Sequence, residues 1–500
     1  MPPTDRPILV SRRTFLLAGA AGLAVTACGK AATQSASVAA KVAPAPVTAG
    51  YNARWIPPAL KGPNFDLSLA SSSKQMQPGA KSATYGYNGS EFWGPTLFMT
   101  KGDPVKINLA NKLAEDTTTH WHGFHIPADM DGGPHQVVAA GATWSPSFQV
   151  KNRAATYWYH PHMHETTQKQ MNLGAGGFII VQDAQEATLA LPRTYGVDDI
   201  PLMLTSRSFG ADNTIDTKTI YGDVLFTNGT PKAEASLPAQ VVRFRILNAE
   251  IERAYNLGFA DGRIFHVIAT DGGLVNAPVP VTRLIMSPGE RYEILVDLSK
   301  DAVGSAATMQ SFNSGFSLGF PGGEPASSGA FGSLLNNKTF DVLRIVVSAS
   351  TSGGVTSVPP ALADNKYWSA KDATNTRSIA ITDHGPGSPF SFDNAGYAMA
   401  TINQTVRLDT VEAWKITNGH TFGHSFHIHD VQFAIVSRST GPVLDYEKGW
   451  KDTFYIQVNE TVSFIAKFDD FVSNDHPFMY HCHMSNHEDE GLMGQFLVTT

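Results

Sequence analysis

Five hundred residues exceed what one ordinary core supports, so two to four domains are expected. Only 16% of residues are charged, while glycine and proline number 44 and 30, a balance that favours short strands and turns over long amphipathic helices. The formal charge of −7 speaks against a nucleic-acid partner and offers anionic lipid no basic surface, and two cysteines cannot build a disulfide framework.

The chain opens with "SRRTFLLAGAAGLAVTACGK", in which Arg12 and Arg13 precede Phe15, Leu16 and an apolar run. This predicts a twin-arginine export signal over residues 1–28, and hence a periplasmic location. The run is too short and too rich in glycine for a lasting transmembrane helix. Val25-Thr26-Ala27-Cys28 resembles a lipobox, in which Cys28 becomes a lipidated first residue and a possible membrane anchor; ordinary cleavage that discards Cys28 is the alternative. Residues 29–54 follow as a low-complexity, flexible tether.

Three strand-like segments then end in asparagine: "VKINLAN" at Asn111, "VRFRILN" at Asn248 and "EAWKITN" at Asn418. Each alternates with period two, and each module closes with another strand, "GGFIIVQD", "RYEILVDLS" and "GQFLVTT". Spacings of 137 and 170 residues between the asparagines predict three sandwich-sized domains, over residues 55–185, 190–350 and 375–500. Nine and eleven residues beyond the asparagine, the first module carries His120 and His122 and the third His427 and His429. The middle module has Leu257 and Phe259 there, core-type residues, and reads as a spacer without ligands. A second pair follows in each outer module, His160 with His162 and His481 with His483.

Alternate strand residues face the same way, so His-x-His sends two imidazoles to one face. Seventeen histidines would give about 0.6 such pairs by chance; the chain has five. Eight imidazoles from the outer modules could therefore converge on metal between the first and third domains. Imidazole alone does not choose among copper, iron and zinc. Cys482, between His481 and His483, points to the opposite face and joins His424 and His487 in a His₂Cys set, the signature of a blue-copper electron-transfer centre.

The stretches "HWHG", "YHPH", "HSFHIH" and "HCHMSNHEDEG" resemble the four copper motifs of the multicopper oxidases, with closest similarity to bacterial laccases, bilirubin oxidases and periplasmic cuprous oxidases. "WGPTL", "DMDGGP" and "VIATDGGL" extend the resemblance from about residue 55 to the last residue. It implies three consecutive cupredoxin-like Greek-key β-sandwiches in an all-β chain that binds four copper ions. His120 and His427 would hold the type 2 copper; His122, His160 and His483 one type 3 copper; His162, His429 and His481 the other; His424, Cys482 and His487 the type 1 copper. Asp131 and Glu488 fall where the family keeps acids beside the three-copper cluster, a sensible place for a proton donor in reducing dioxygen to water.

At the axial position of the type 1 site stands Leu492, followed by Met493. A non-coordinating leucine is expected, with a bulge presenting Met493 as the alternative; losing a thioether should raise the potential. Ser425 and Asp430 replace the family's usual proline and glycine without removing a ligand. His164 is expected outside the ligand set, and His420 is a candidate to line the substrate approach. The glycine- and phenylalanine-rich residues 310–333 read as a mobile covering loop. The link between the second and third domains has no methionine, unlike the methionine-rich insert of dedicated cuprous oxidases, so phenols or aromatic amines are the expected reductants, with Cu(I) as the alternative. Copper-free relatives that act in cell division have lost ligands that this chain keeps, and a copper nitrite reductase would not need four His-x-His pairs. A monomer is the default expectation.

Overall fold

The computed structural model describes residues 47–383 and 390–500. The leader, Cys28, most of the tether and His384 lie outside the described residues. Six sheets stack in three pairs, one sandwich per module. In the first, Ala59–Lys61, Thr96–Thr100, Gly177–Gln182, Ala155–His160 and His120–His122 form one sheet, and Ser82–Tyr87, Asn64–Lys74 and Pro104–Asn111 anchor the other. Their inward-facing residues, among them Leu69, Leu97, Ile107, Trp121 and Tyr159, make one apolar core. The third module repeats the plan around Trp414, Phe426, Phe464, Tyr480 and Phe496.

The asparagine repeat has a physical explanation. Asn111, Asn248 and Asn418 each end a strand that runs parallel to the first long strand of their module, and each is buried. Each side-chain oxygen accepts from the backbone N–H two residues on, in Leu113, Glu250 and His420. Each side-chain amide donates to two carbonyls: Glu115 and Val138, Arg253 and Met286, Phe422 and Gln457. One side chain thus closes the turn after the strand and ties it to a second loop, satisfying backbone groups that would otherwise be buried unpaired. A similarly tied turn leads into the next strand of each module, and His120, Leu257 and His427, each nine residues beyond its asparagine, all lie in that strand. Leu257 and Phe259 enter the middle core, as expected.

Asn52–Ala53, at the end of the expected tether, add a short parallel strand to Ala233–Pro238 of the middle module. No helix among the described residues is long and apolar enough to cross a membrane.

Candidate metal centres

Strand register builds the site. His120 and His160 are cross-strand partners in the first module, and His427 and His481 are partners in the third. Cross-strand partners share a face, so each sheet presents imidazoles on one side. The two faces meet, and rings interleave across the interface: His120 stacks on His429 at 3.9 Å and His122 on His427 at 3.8 Å. All eight are buried.

The eight nitrogens fall into groups. His122 Nδ1 lies 3.4 Å from His160 Nε2 and 3.1 Å from His483 Nε2. His481 Nε2 lies 3.1 Å from His162 Nε2 and 3.3 Å from His429 Nε2. The ligand nitrogens of each trio all lie within 4.8 Å of one another, compact enough to share one ion at metal–nitrogen bonds of about 2 Å. His120 and His427 donate through Nδ1 to the carbonyls of Asp131 and Asp452, at 2.9 and 2.8 Å. Their Nε2 atoms, buried and without a partner, are left as lone pairs. This donor set fits copper.

On the opposite face of the strand Phe478–Cys482, Cys482 pairs in register with Phe426, whose neighbour two residues back is His424. Cys482 Sγ lies 3.6 Å from His424 Nδ1 and 3.6 Å from His487 Nδ1, and the two nitrogens are 3.1 Å apart. His487 is supplied by the short helix Ser485–Asp489. A sulfur and two imidazole nitrogens at one point are the donors of a blue-copper centre.

Family models for multicopper oxidases match residues 70–186, 205–317 and 363–500. The chain belongs to the multicopper oxidase family. Among curated multicopper oxidases, Mco of Staphylococcus epidermidis is 30% identical over 445 residues, covering 87% of this chain and 88% of that protein. The cell division protein FtsP of Edwardsiella tarda is 31% identical over 502 residues, covering 98% and 99%. Among solved structures, CueO of Ochrobactrum sp., a laccase-like multi-copper oxidase with activity towards lignin model compounds, superposes with a TM-score of 0.79 at 32% identity, covering 89% and 99%. The family is one of copper-dependent oxidoreductases that use dioxygen, and the histidine clusters are compatible with that cofactor.

Electrostatics keep most of the imidazoles in the neutral form a metal needs. Burial first, then neighbouring imidazoles, hold His122, His160, His424, His427 and His481 well below the ordinary histidine range. The same burial lowers His429 to about 3 and His483 to about 4. His162 and His487 go the other way against burial: Glu488 raises His162, and Glu252 with the Cys482 sulfur raises His487 to about 10.

The two expected acids grip the outer nitrogens of ligand histidines. Asp131 Oδ2 accepts from His429 Nδ1 at 2.6 Å. Glu488 Oε1 is 3.0 Å from His162 Nδ1, its Oε2 is 3.4 Å from His481 Nδ1, and Thr167 Oγ1 donates to Oε1 at 2.8 Å. Burial opposes ionisation in both, and the adjoining imidazoles outweigh it and keep both carboxyls low.

Leu492 joins the apolar cluster around Cys482, and its carbonyl accepts from Cys482 N at 3.0 Å. Met493 is the cross-strand partner of His481, which directs its side chain to the histidine face. His164 stays outside the clusters and packs edge-on against Tyr397 at 5.2 Å. His420 lies 5.3 Å from His424 and bonds Asp383 at 3.0 Å.

The middle domain is more than a spacer. Glu252 Oε1 lies 2.9 Å from His487 Nε2. Gly289 packs under the His483 ring, and Arg291 reaches Asp452, which contacts His122. Nothing in the sequence marked Glu252, Gly289 or Asp452, because each matters only through the domain it meets. Residues 310–333, expected as a mobile loop, are held to the third domain: Gly423 N donates to the Gly319 carbonyl at 3.0 Å, and Phe320 packs on Tyr455 at 4.4 Å.

Proposed function

We propose that this chain is a laccase-like oxidase with four copper ions, which takes single electrons from phenols or aromatic amines and reduces dioxygen to water. One observation carries the reading: ten histidines and one cysteine, drawn from two domains, meet in sets whose free lone pairs converge, with Cys482 covalently between His481 and His483. Bound copper would supply one-electron chemistry at the Cys482 set and oxygen reduction at the histidine sets. His424, Cys482 and His487 would hold the type 1 ion; His120 and His427 the type 2 ion; His122, His160 and His483, and His162, His429 and His481, the type 3 pair.

The chain's own residues do the rest. The peptide links from Cys482 to both neighbours give electrons a short covalent route between the centres. Trp158, stacked on His160 at 4.1 Å, helps to keep the chamber dry. Asp131 accepts the His429 Nδ1–H and Glu488 lies 3.0 Å from His162 Nδ1, so both carboxyls stand where a proton could be passed inward. Leu492, in the apolar cluster with Cys482, would offer a bound ion no donor atom.

An aromatic reductant is supported by the surface over His487. Phe390 covers its ring at 3.9 Å, Phe422 lies 5.9 Å away, and Phe331 beyond it is exposed together with Leu318 and Leu334. The second reading, oxidation of Cu(I), is favoured by the Glu252 carboxylate on His487 Nε2, a group that attracts cations. The complete ligand set favours either oxidase over a cell-division role like that of FtsP. The Arg12–Arg13 leader supports twin-arginine export to the periplasm, with Cys28 as a possible lipid anchor. Copper content and a visible spectrum, followed by oxygen uptake with phenols, aromatic amines and Cu(I), test the proposal. Uptake with Cu(I) and none with phenols would favour the second reading, and a colourless protein after copper loading would overturn both.

A further inference from the structure

The turn at residues 287–290, which leads from Leu284–Met286 into Arg291–Asp297, packs Gly289 of the middle domain against the His483 ring. Arg291 is fully buried there and uses all five of its N–H groups. Nε donates to the Thr156 carbonyl of the first domain at 3.1 Å. One terminal nitrogen donates to the Gly289 carbonyl at 3.0 Å and to Asp452 Oδ1 at 2.7 Å. The other donates to the Asp271 carbonyl at 2.9 Å and to Asp452 Oδ2 at 2.7 Å. One guanidinium therefore binds groups from all three domains and clamps Asp452 through both oxygens, the strongest geometry open to an arginine and a carboxylate.

Asp452 in turn faces His122. Its Oδ1 lies 3.1 Å from His122 Nε2 and accepts from Thr453 Oγ1 at 2.9 Å. Among the six histidines of the paired sites, His122 is the one that turns Nδ1 inward; His160, His162, His429, His481 and His483 turn Nε2. For Nδ1 to offer a lone pair, the ring proton must sit on Nε2, and a fixed carboxylate at that nitrogen is what selects this tautomer.

We infer that Arg291 is a positioning residue for the paired copper site: by clamping Asp452 it holds the His122 ring with Nδ1 toward the metal, so the domain without ligands helps to assemble the cluster. This rests on the copper reading above. An ordinary buried ion pair would stabilise the domain contact without selecting one site, and the difference is measurable.

The full chain is copper-loaded as wild type, Arg291→Gln and Arg291→Lys, and each is measured for copper per chain, the blue thiolate band, the near-ultraviolet shoulder of the paired site and copper retention against a chelator. Arg291→Gln is expected to keep the blue band, lose most of the shoulder and retain its paired copper about 10–100-fold more weakly. Arg291→Lys keeps the charge without the fork and should recover part of the shoulder. If Arg291→Gln does not fold, Asp452→Asn carries the test, because its amide turns a donor toward the guanidinium or toward His122; the same selective loss is expected. A folded variant of either kind with an unchanged shoulder and copper retention, whatever its melting temperature, overturns the inference. A wild-type chain that takes up no copper overturns the copper reading instead.

Discussion

Substituting Gly289 by alanine should damage one copper site through a single methyl group. Gly289 has φ +87°, where an L-residue costs about 1–2 kcal/mol. Its added Cβ would stand 2.7 Å from His483 Cγ, 2.8 Å from Cδ2 and 3.0 Å from Nδ1. Comfortable carbon contacts begin near 3.5 Å, so the ring or the turn must move by about 0.8 Å. The ring is hemmed in by His160 at 5.1 Å and Trp158 at 5.4 Å, and metal ligands tolerate about 0.2 Å. Copper at the set of His122, His160 and His483 should then be held about 10–100-fold more weakly, a loss typical of disturbed ligand orientation. Gly304 supplies the control: its φ is +88° and nothing lies within 4 Å of its added Cβ. Gly304→Ala should lower the melting temperature of the metal-free protein through backbone strain alone, and Gly289→Ala should lower it further because overpacking against the His483 ring adds to that strain. Only Gly289→Ala should lose copper in a chelator titration and weaken the near-ultraviolet shoulder. Equal copper retention in the two variants would refute the claim that Gly289 seats His483.

Cys482→Ser should abolish the blue band and reduce oxygen uptake with any reductant to background, while the histidine clusters, on the other face of the strand, keep their copper. Leu492→Met should lower the potential of the sulfur site, read by redox titration, because a thioether donor stabilises the oxidised ion. The metal-free protein should weaken in acid. His429 and His483 bind a proton at about 3 and 4 in the folded chain, against an ordinary 6.5. The unfolded chain therefore takes up protons first as pH falls below 6.5, and stability drops down to about pH 4 by up to about 1.4 kcal/mol per unit for each histidine. Urea titrations of metal-free protein between pH 7.5 and 4.5 check this; a flat midpoint would contradict it.

The pattern of paired histidines was legible because a strand repeats every two residues, so His120 with His122 and His427 with His429 had to share faces whatever the tertiary fold. Cys482 was legible for the complementary reason: odd and even positions part company. The asparagine repeat could be seen as a register mark, although its work in closing turns needs the loops it bonds. Arg291 and Asp452 were invisible because they lie 161 residues apart and acquire meaning only where domains touch. Glu252 and His487 lie farther apart still in sequence. Interfaces are set by shape, and no local period announces them.

The cover over His487 has a consequence for what the enzyme accepts. With Phe390 across the ring and Glu252 on its outer nitrogen, His487 is buried, and a visiting molecule meets other side chains before it. Electrons must cross a thin insulating layer, so on the proposed function a donor is chosen by how readily it yields an electron and how flat it lies on the phenylalanine-lined surface, with little regard for its outline. Redesigning that surface at residues 316–333 and 422 should retune the range of donors while leaving the histidine chamber, on the other face of the strand Phe478–Cys482, as it was.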